Sequence, residues 1–151
     1  MIRQRLTRNA SQIIVFKKLW EEGKTELAKA IGELTCGTLF YGMRSCEYSQ
    51  MTGEKKTKIL QLKHIRFYNN NKERKKTTNM NLEQITKVTI TFYRQKNGTK
   101  EADITMHKSN DKKLCPVRAW GNITKRILSY PKTNENTPVN YVLLKIKPYY
   151  I

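Results

Sequence analysis

Acidic residues are scarce in this chain of 151 residues: twelve Asp and Glu stand against thirty Lys and Arg, a formal net charge of +18. A compact fold with that excess repels itself unless a polyanion accompanies it, and nucleic acid is the leading candidate. Long apolar runs are missing as well. No stretch approaches the roughly 20 residues that span a bilayer, so no membrane partner is expected. Nor does a secretory leader open the sequence, because Met1 to Arg8 is basic and the next apolar piece, Ile13 to Phe16, is short. Cysteine is limited to Cys36, Cys46 and Cys115, an odd number without metal-ligand spacing. Buried thiols in a reducing compartment follow, which places the protein inside the cell, in the nucleus if the source is eukaryotic. The Asn-x-Ser/Thr matches at Asn9, Asn97 and Asn122 then carry little weight. Also absent are a phosphate-cradling glycine loop, a Ser-His-Asp arrangement and a carboxylate cluster for two metals, so neither a cofactor nor a metal is implied.

The length fits one domain, 1–151, and the pattern of elements predicts an α+β fold, mainly helical with a small antiparallel β-sheet. Ile13, Ile14, Phe16, Lys17 and Trp20 form a helical stripe, with Asn9 or Thr7 as N-cap and Gly23 as its stop. Thr25 can cap a second helix whose apolar face, Leu27, Ala28, Ile31, Leu34 and Thr38, runs to about Met43. Lys58 to Phe67 alternates as a strand. Asn69 to Asn81 offers almost nothing to a core and reads as an exposed basic loop. Its Lys72, Arg74, Lys75 and Lys76 are either contacts to a phosphate backbone or a solvated insertion.

Val88 to Tyr93 is rich in β-branched and aromatic residues, Asn97-Gly98 favours a tight turn, and Ala102 to His107 supplies a returning strand. Val88 to Met106 is therefore a β-hairpin with lysine at its tip. Pro116 suits the first turn of a further helix that continues through Ile123, Ile127 and Leu128 and stops before Pro131. Within it, Trp120 is a packing residue. Lys132 to Pro138 is a turn-rich loop, and 139–151 is a short apolar and basic tail.

One stretch carries chemistry. Leu39 to Tyr48 delivers Arg44 out of an apolar run, with Glu47 three residues on and on the same face if the segment is helical. A guanidinium held by a carboxylate keeps its direction, and its planar fork can grip two oxygens of one phosphate. The same spacing also describes a simple helix-end salt bridge, and an exposed hairpin lysine is often only a solubility device.

Gly-x-Arg-x-x-Glu at the end of an apolar helix, followed by a polar segment and Leu60 to Phe67, resembles the first conserved box of the tyrosine recombinases, the phage-integrase family. The wording Met43-Arg44-Ser45-Cys46-Glu47-Tyr48 and the Cys115-Pro116-Val117-Arg118-Ala119-Trp120 opening look like recombinase-like frames of eukaryotic mobile elements. The resemblance implies a partial recombinase catalytic domain that binds double-stranded DNA. It gives Arg44 the scissile phosphate, Glu47 a supporting place, and a hairpin lysine the protonation of the departing 5′ oxygen. Lys96 matches that lysine, with Lys100 close enough to be confused with it.

The family's later parts have no counterpart. Neither His64 nor His107 begins His-x-x-Arg, and Tyr149 and Tyr150 lack the preceding helical stretch that leads to the family's nucleophile. Phosphodiester cleavage needs that nucleophile as well as charge neutralisation. The expectation is thus a truncated or decayed recombinase that binds DNA without cutting it alone. Two rivals stand beside it: a basic module binding RNA or single strands through aromatics such as Tyr68 and Tyr93, and one half of a split enzyme completed by a second polypeptide or other protomers.

Overall fold

The computed structural model describes residues 25–43, 59–92, 102–112, 114–144 and 147–151. Helix α1 spans Glu26–Tyr41, and the Thr25 side chain caps it by accepting from the Ala28 N–H at 3.1 Å. Its end is set by Gly42, whose φ of +59° is left-handed and costs glycine nothing. The Met43 N–H then bonds back to the Thr38 carbonyl.

Strands β1 (Ile65–Asn69), β2 (Lys72–Arg74), β3 (Lys87–Phe92) and β4 (Ala102–His107) form an antiparallel sheet in the order β2-β1-β3-β4. Alternation decides its faces. Pairing aligns Ile65 with Ile90 and Ile104, and Phe67 with Val88 and Met106, which gives one apolar face for the core. The opposite face carries the rows Arg66–Thr89–Thr105 and Tyr68–Lys87–His107. Helix α2, Pro116–Ser129, has Pro116 in its first turn and buries Val117, Trp120, Ile123 and Ile127 in the same core.

The two helices meet at Trp120. Its indole is fully buried, its Nε1–H donates to the Gly37 carbonyl at 3.0 Å, and its ring lies edge-on to Tyr41. Such an approach requires a residue without a side chain opposite it, which α1 supplies in Gly37. Further along the helix pair, Arg126 of α2 and Glu33 of α1 form an ion pair at 3.1 Å with about nine-tenths of each side chain covered. Burial pushes the Glu33 carboxyl upward, against the pull of Arg126.

The outcome is mixed α+β, but not mainly helical. Two helices and a four-stranded sheet, joined by a second sheet of two strands, make up the described residues. That second sheet replaces the expected tail: β5 (Tyr141–Leu144) pairs with β6 (Lys147–Tyr150), and Val139 and Val142 are fully buried. Its closure is made by Asn140, whose carbonyl accepts from the Ile151 N–H and whose Nδ2 donates to the Ile151 carbonyl.

Of the strand expected over Lys58 to Phe67, the described part is strand from Ile65 on, and Lys58 lies outside the described residues. Leu62–His64 is a 3-10 turn instead, because the N–H groups of Leu62 and Lys63 donate to Thr137 and Glu135 of the loop before β5. The exposed loop of 69–81 is likewise partly ordered. Asn70, with φ +56°, turns the chain at once into β2, and Met80 is buried. The stripe from Ile13 to Trp20 lies outside the described residues. Cys36 and Cys115 are buried free thiols, and burial pushes Cys36 up to about 11. Cys46 is not among the described residues, and none of the described helices is long and apolar enough to cross a membrane.

The Trp120 contact can be tested at Gly37. A Cβ there would lie 2.9 Å from Trp120 Cε2. In an open helix Gly→Ala gains up to about 1 kcal/mol, whereas overpacking a filled core costs about 1 to 3 kcal/mol. Since the indole is tied to the backbone at that spot, Gly37→Ala is expected to lower the urea midpoint of unfolding. A raised midpoint would show that the contact yields freely.

Candidate nucleic-acid interface

Arg44, Glu47, Lys96 and Lys100 lie outside the described residues. What the structure describes is the frame from which their segments depart. Tyr41, the last residue of α1, donates its hydroxyl to the Val88 carbonyl of β3 at 2.8 Å and packs its ring 6.0 Å from that of Phe92. Burial raises the pKa of this hydroxyl far above its ordinary value, so it serves as a neutral donor. Phe92 is the last residue of β3 before the hairpin tip, and Met43, two residues beyond Tyr41, packs against the core. The Tyr41 side chain thus links the end of α1 to β3.

The two arms expected for the hairpin pair with each other. β3 and β4 pair from Lys87↔His107 to Phe92↔Ala102, with the tip outside the described residues. At its root Arg66 Nη2 donates to Thr91 Oγ1 and to Asp103 Oδ2, both at 2.9 Å, and the Thr91 hydroxyl donates to Asp103 Oδ1 at 2.7 Å. The Thr91 hydroxyl and then the Arg66 guanidinium hold the Asp103 carboxyl below its usual range.

The basic stretch divides by geometry. β2 runs back along β1, so Lys72, paired with Asn69, sits at the end of the sheet opposite the β3–β4 tip, while 75 and 76 return towards it. Lys72 and Lys75 are exposed; Arg74 is half-buried and donates to Gln84 Oε1 at 3.1 Å. Lys76 points inward. Its Nζ donates to the carbonyls of Leu62 and Ile65, each at 2.7 Å, and meets Glu135 at 2.8 Å, leaving 11% of the side chain exposed. The expectation of a solvent-facing phosphate contact thus fits Lys72 and Lys75 better than Lys76, which pins the start of β1 to the loop before β5. A polar recess of about 400 Å³, lined by residues including Arg74, Lys75, Asn79 and Gln84, opens beside this stretch.

Other basic residues are already paired. Arg118 and Lys108 both donate to Glu83, Lys108 to its carbonyl at 3.0 Å and to its carboxylate at 3.4 Å. Nothing in the sequence signals this cluster, whose members are 25 and 35 residues apart. His64 Nδ1 accepts from the Gln61 N–H at 3.0 Å, and burial lowers its pKa, so the ring is a neutral turn-closing group. His107 ends β4 on the sheet's outer face. Tyr149 and Tyr150 lie exposed on β6, with the Tyr150 ring 5.4 Å from that of Tyr141.

No protein-family model, curated protein or solved structure matches the chain.

The two roles within the basic stretch predict opposite phenotypes. Lys76→Ala removes a charged donor from two carbonyls and is expected to cost about 1 to 3 kcal/mol of stability. Lys75→Ala, at an exposed position, is expected to stay within about 0.5 kcal/mol of the parent. Denaturant unfolding of both variants checks this, and equal losses would contradict the inward placement of Lys76.

Proposed function

We propose that the chain is a DNA-binding portion of a tyrosine recombinase catalytic domain, engaging duplex DNA through the segments that carry Arg44 and Lys96 and unable to cleave it alone. The order of elements supports this reading: an apolar helix that stops just before Arg44, an antiparallel sheet with a hairpin, then a helix opened by Pro116. The observation that carries it is the Tyr41 junction, which ties the end of α1 to β3 by a hydroxyl on the Val88 carbonyl and a ring packed against Phe92. A phosphate bound by an arginine after Met43 and approached by a lysine beyond Phe92 needs those two exits side by side. Glu47 would fix the arginine, and Lys72 and Lys75 would add contacts along the backbone. Lys100 competes with Lys96 for the hairpin role.

A module for single strands would draw on Tyr68 and Tyr93 as stacking platforms, of which Tyr93 lies outside the described residues. The Tyr68 ring is already engaged, with Lys87 Nζ 5.4 Å from its centroid and the same Nζ donating to Asn71 at 3.2 Å. Duplex is the partner that the family resemblance favours.

Binding is expected to be electrostatic and weakly selective, falling by about 10³ to 10⁵ between 50 and 200 mM salt if six to ten phosphates are contacted. A titration without salt dependence would remove DNA as the partner, and tighter binding to single strands than to duplex would favour the rival module. Within that binding, Arg44→Lys should weaken a short duplex by about 1 to 3 kcal/mol, the scale of a charge-assisted hydrogen bond, with the melting temperature unchanged.

Cleavage is a separate matter, because positioned cations lower a barrier only once a nucleophile stands in line with the leaving oxygen. Incubation with a nicked suicide duplex is expected to leave no protein covalently joined to DNA. A covalent band lost on Tyr149→Phe or Tyr150→Phe would overturn this, and one that needs an added polypeptide with His-x-x-Arg and a tyrosine would establish the split enzyme.

A further inference from the structure

The edge strand β2 sends alternate side chains to opposite faces of the sheet. Arg74 lies opposite Phe67 and so on the core side, while Glu73 lies opposite Tyr68 on the outer side. Beyond Arg74 the chain from Thr77 to Ile85 folds back and leaves the recess of about 400 Å³. Its lining is held in place. Met80 and Ile85 are buried in the core, the Met80 N–H closes a turn on the Thr77 carbonyl at 3.3 Å, and Asn81 Oδ1 accepts from the Glu83 N–H at 3.0 Å. The walls are therefore preformed, as those of small-ligand sites are.

Arg74 differs from the other arginines of this frame in its partner. Arg66, Arg118 and Arg126 each pair with a carboxylate. Arg74 is half-buried and oriented by the neutral amide of Gln84, and no carboxylate among the described residues forms an ion pair with it. A guanidinium has five N–H donors, so most of this fork is left for another acceptor. Exposed Lys75 brings a second cation to the same recess. One aimed guanidinium and one ammonium, neither neutralised, suit the oxygens of a phosphate. A phosphate alone would leave most of the recess empty, and its volume falls in the range that holds whole small ligands. The rest of the polar lining, Thr77, Asn79 and Asn81, offers hydroxyl and amide groups that donate and accept, as the edge of a nucleobase does.

We propose that this recess binds a nucleoside monophosphate group, its phosphate on Arg74 and Lys75 and its base towards Asn79 and Asn81. The same chemistry is carried by a free nucleotide and by the 5′-phosphorylated end of a strand. The site goes beyond the duplex-binding reading and uses neither Arg44 nor the hairpin tip.

The probe is adenosine 5′-monophosphate, titrated at low salt into the 15N-labelled full chain, with adenosine and inorganic phosphate as separate titrants. Saturable amide shift changes should centre on 74–85, and the nucleotide should bind at least about tenfold more tightly than either part, the scale of one charge-assisted hydrogen bond. Gln84→Glu, at an exposed position, gives Arg74 the carboxylate it lacks and should weaken nucleotide binding at least about tenfold. Lys75→Ala should weaken it as well. No saturable change, equal affinity in the parent and Gln84→Glu, or inorganic phosphate bound as tightly as the nucleotide overturns the proposal.

A short single strand ending in a 5′-phosphate, compared with the same strand ending in a hydroxyl, decides the source. Tighter binding of the phosphorylated end assigns the site to strand ends, and equal binding with the nucleotide response intact assigns it to free nucleotides. Failure to bind any duplex, with the nucleotide response intact, would sink the duplex reading and leave this site standing.

Discussion

The architecture depends on a close contact between an indole and a residue with no side chain. Among the described residues Trp120 is the largest fully buried one, and its Nε1–H would be an unpaired donor in the core if the Gly37 carbonyl did not accept it. That single bond sets how near α2 approaches α1 and at what height. With the indole in place, Tyr41 rests edge-on against it and reaches β3 with its hydroxyl. The end of α1 is thereby fixed to the sheet by a chain of three aromatic residues, Trp120, Tyr41 and Phe92, rather than by the helix's own propensity.

In the proposed reading, this packing feature also serves binding. Gly42 stops the helix abruptly with a left-handed turn, so the segment after Met43 starts from a defined place. Phe92, on the far side of Tyr41, gives the hairpin segment a defined start as well. The strong positive charge of the chain supplies attraction for a polyanion, but attraction has no direction. On the described residues, the aromatic junction lies on the core face of β3 and the Arg66–Thr91–Asp103 contacts on the outer face. The buried Glu33–Arg126 pair has a different task, joining the two helices at a distance from these exits.

Much of this was legible where the determinants are local. Thr25 and Pro116 mark helix starts by capping chemistry, and the β-branched run of β3 with its returning strand marks the hairpin. What escaped was long-range. The 3-10 turn at Leu62–His64 replaces a strand because its N–H groups find carbonyls more than seventy residues away. Lys76 sits in a run that looks fully solvated, yet two carbonyls and Glu135 draw it inward. The β5–β6 hairpin has no Asn-Gly turn, and its alternation is only four residues long on each side, which is why 139–151 read as a tail and the fold as mainly helical. Of the proposed site, the segments bearing Arg44 and Lys96 rest on sequence resemblance alone and lie outside the described residues, while the Tyr41 junction is visible only in three dimensions.

The central claim is that DNA meets the protein where the chain exits at Met43 and Phe92. The most direct measurement is the pattern of backbone amide shift changes as a short duplex is added to the labelled chain at low salt. The account predicts changes concentrated at the end of α1, at 44–47 and at the hairpin from 91 to 103, with weaker ones at Lys72 and Lys75. Changes confined to the Tyr68–Lys87 end of the sheet or to the β5–β6 hairpin, with the two exits silent, would contradict it.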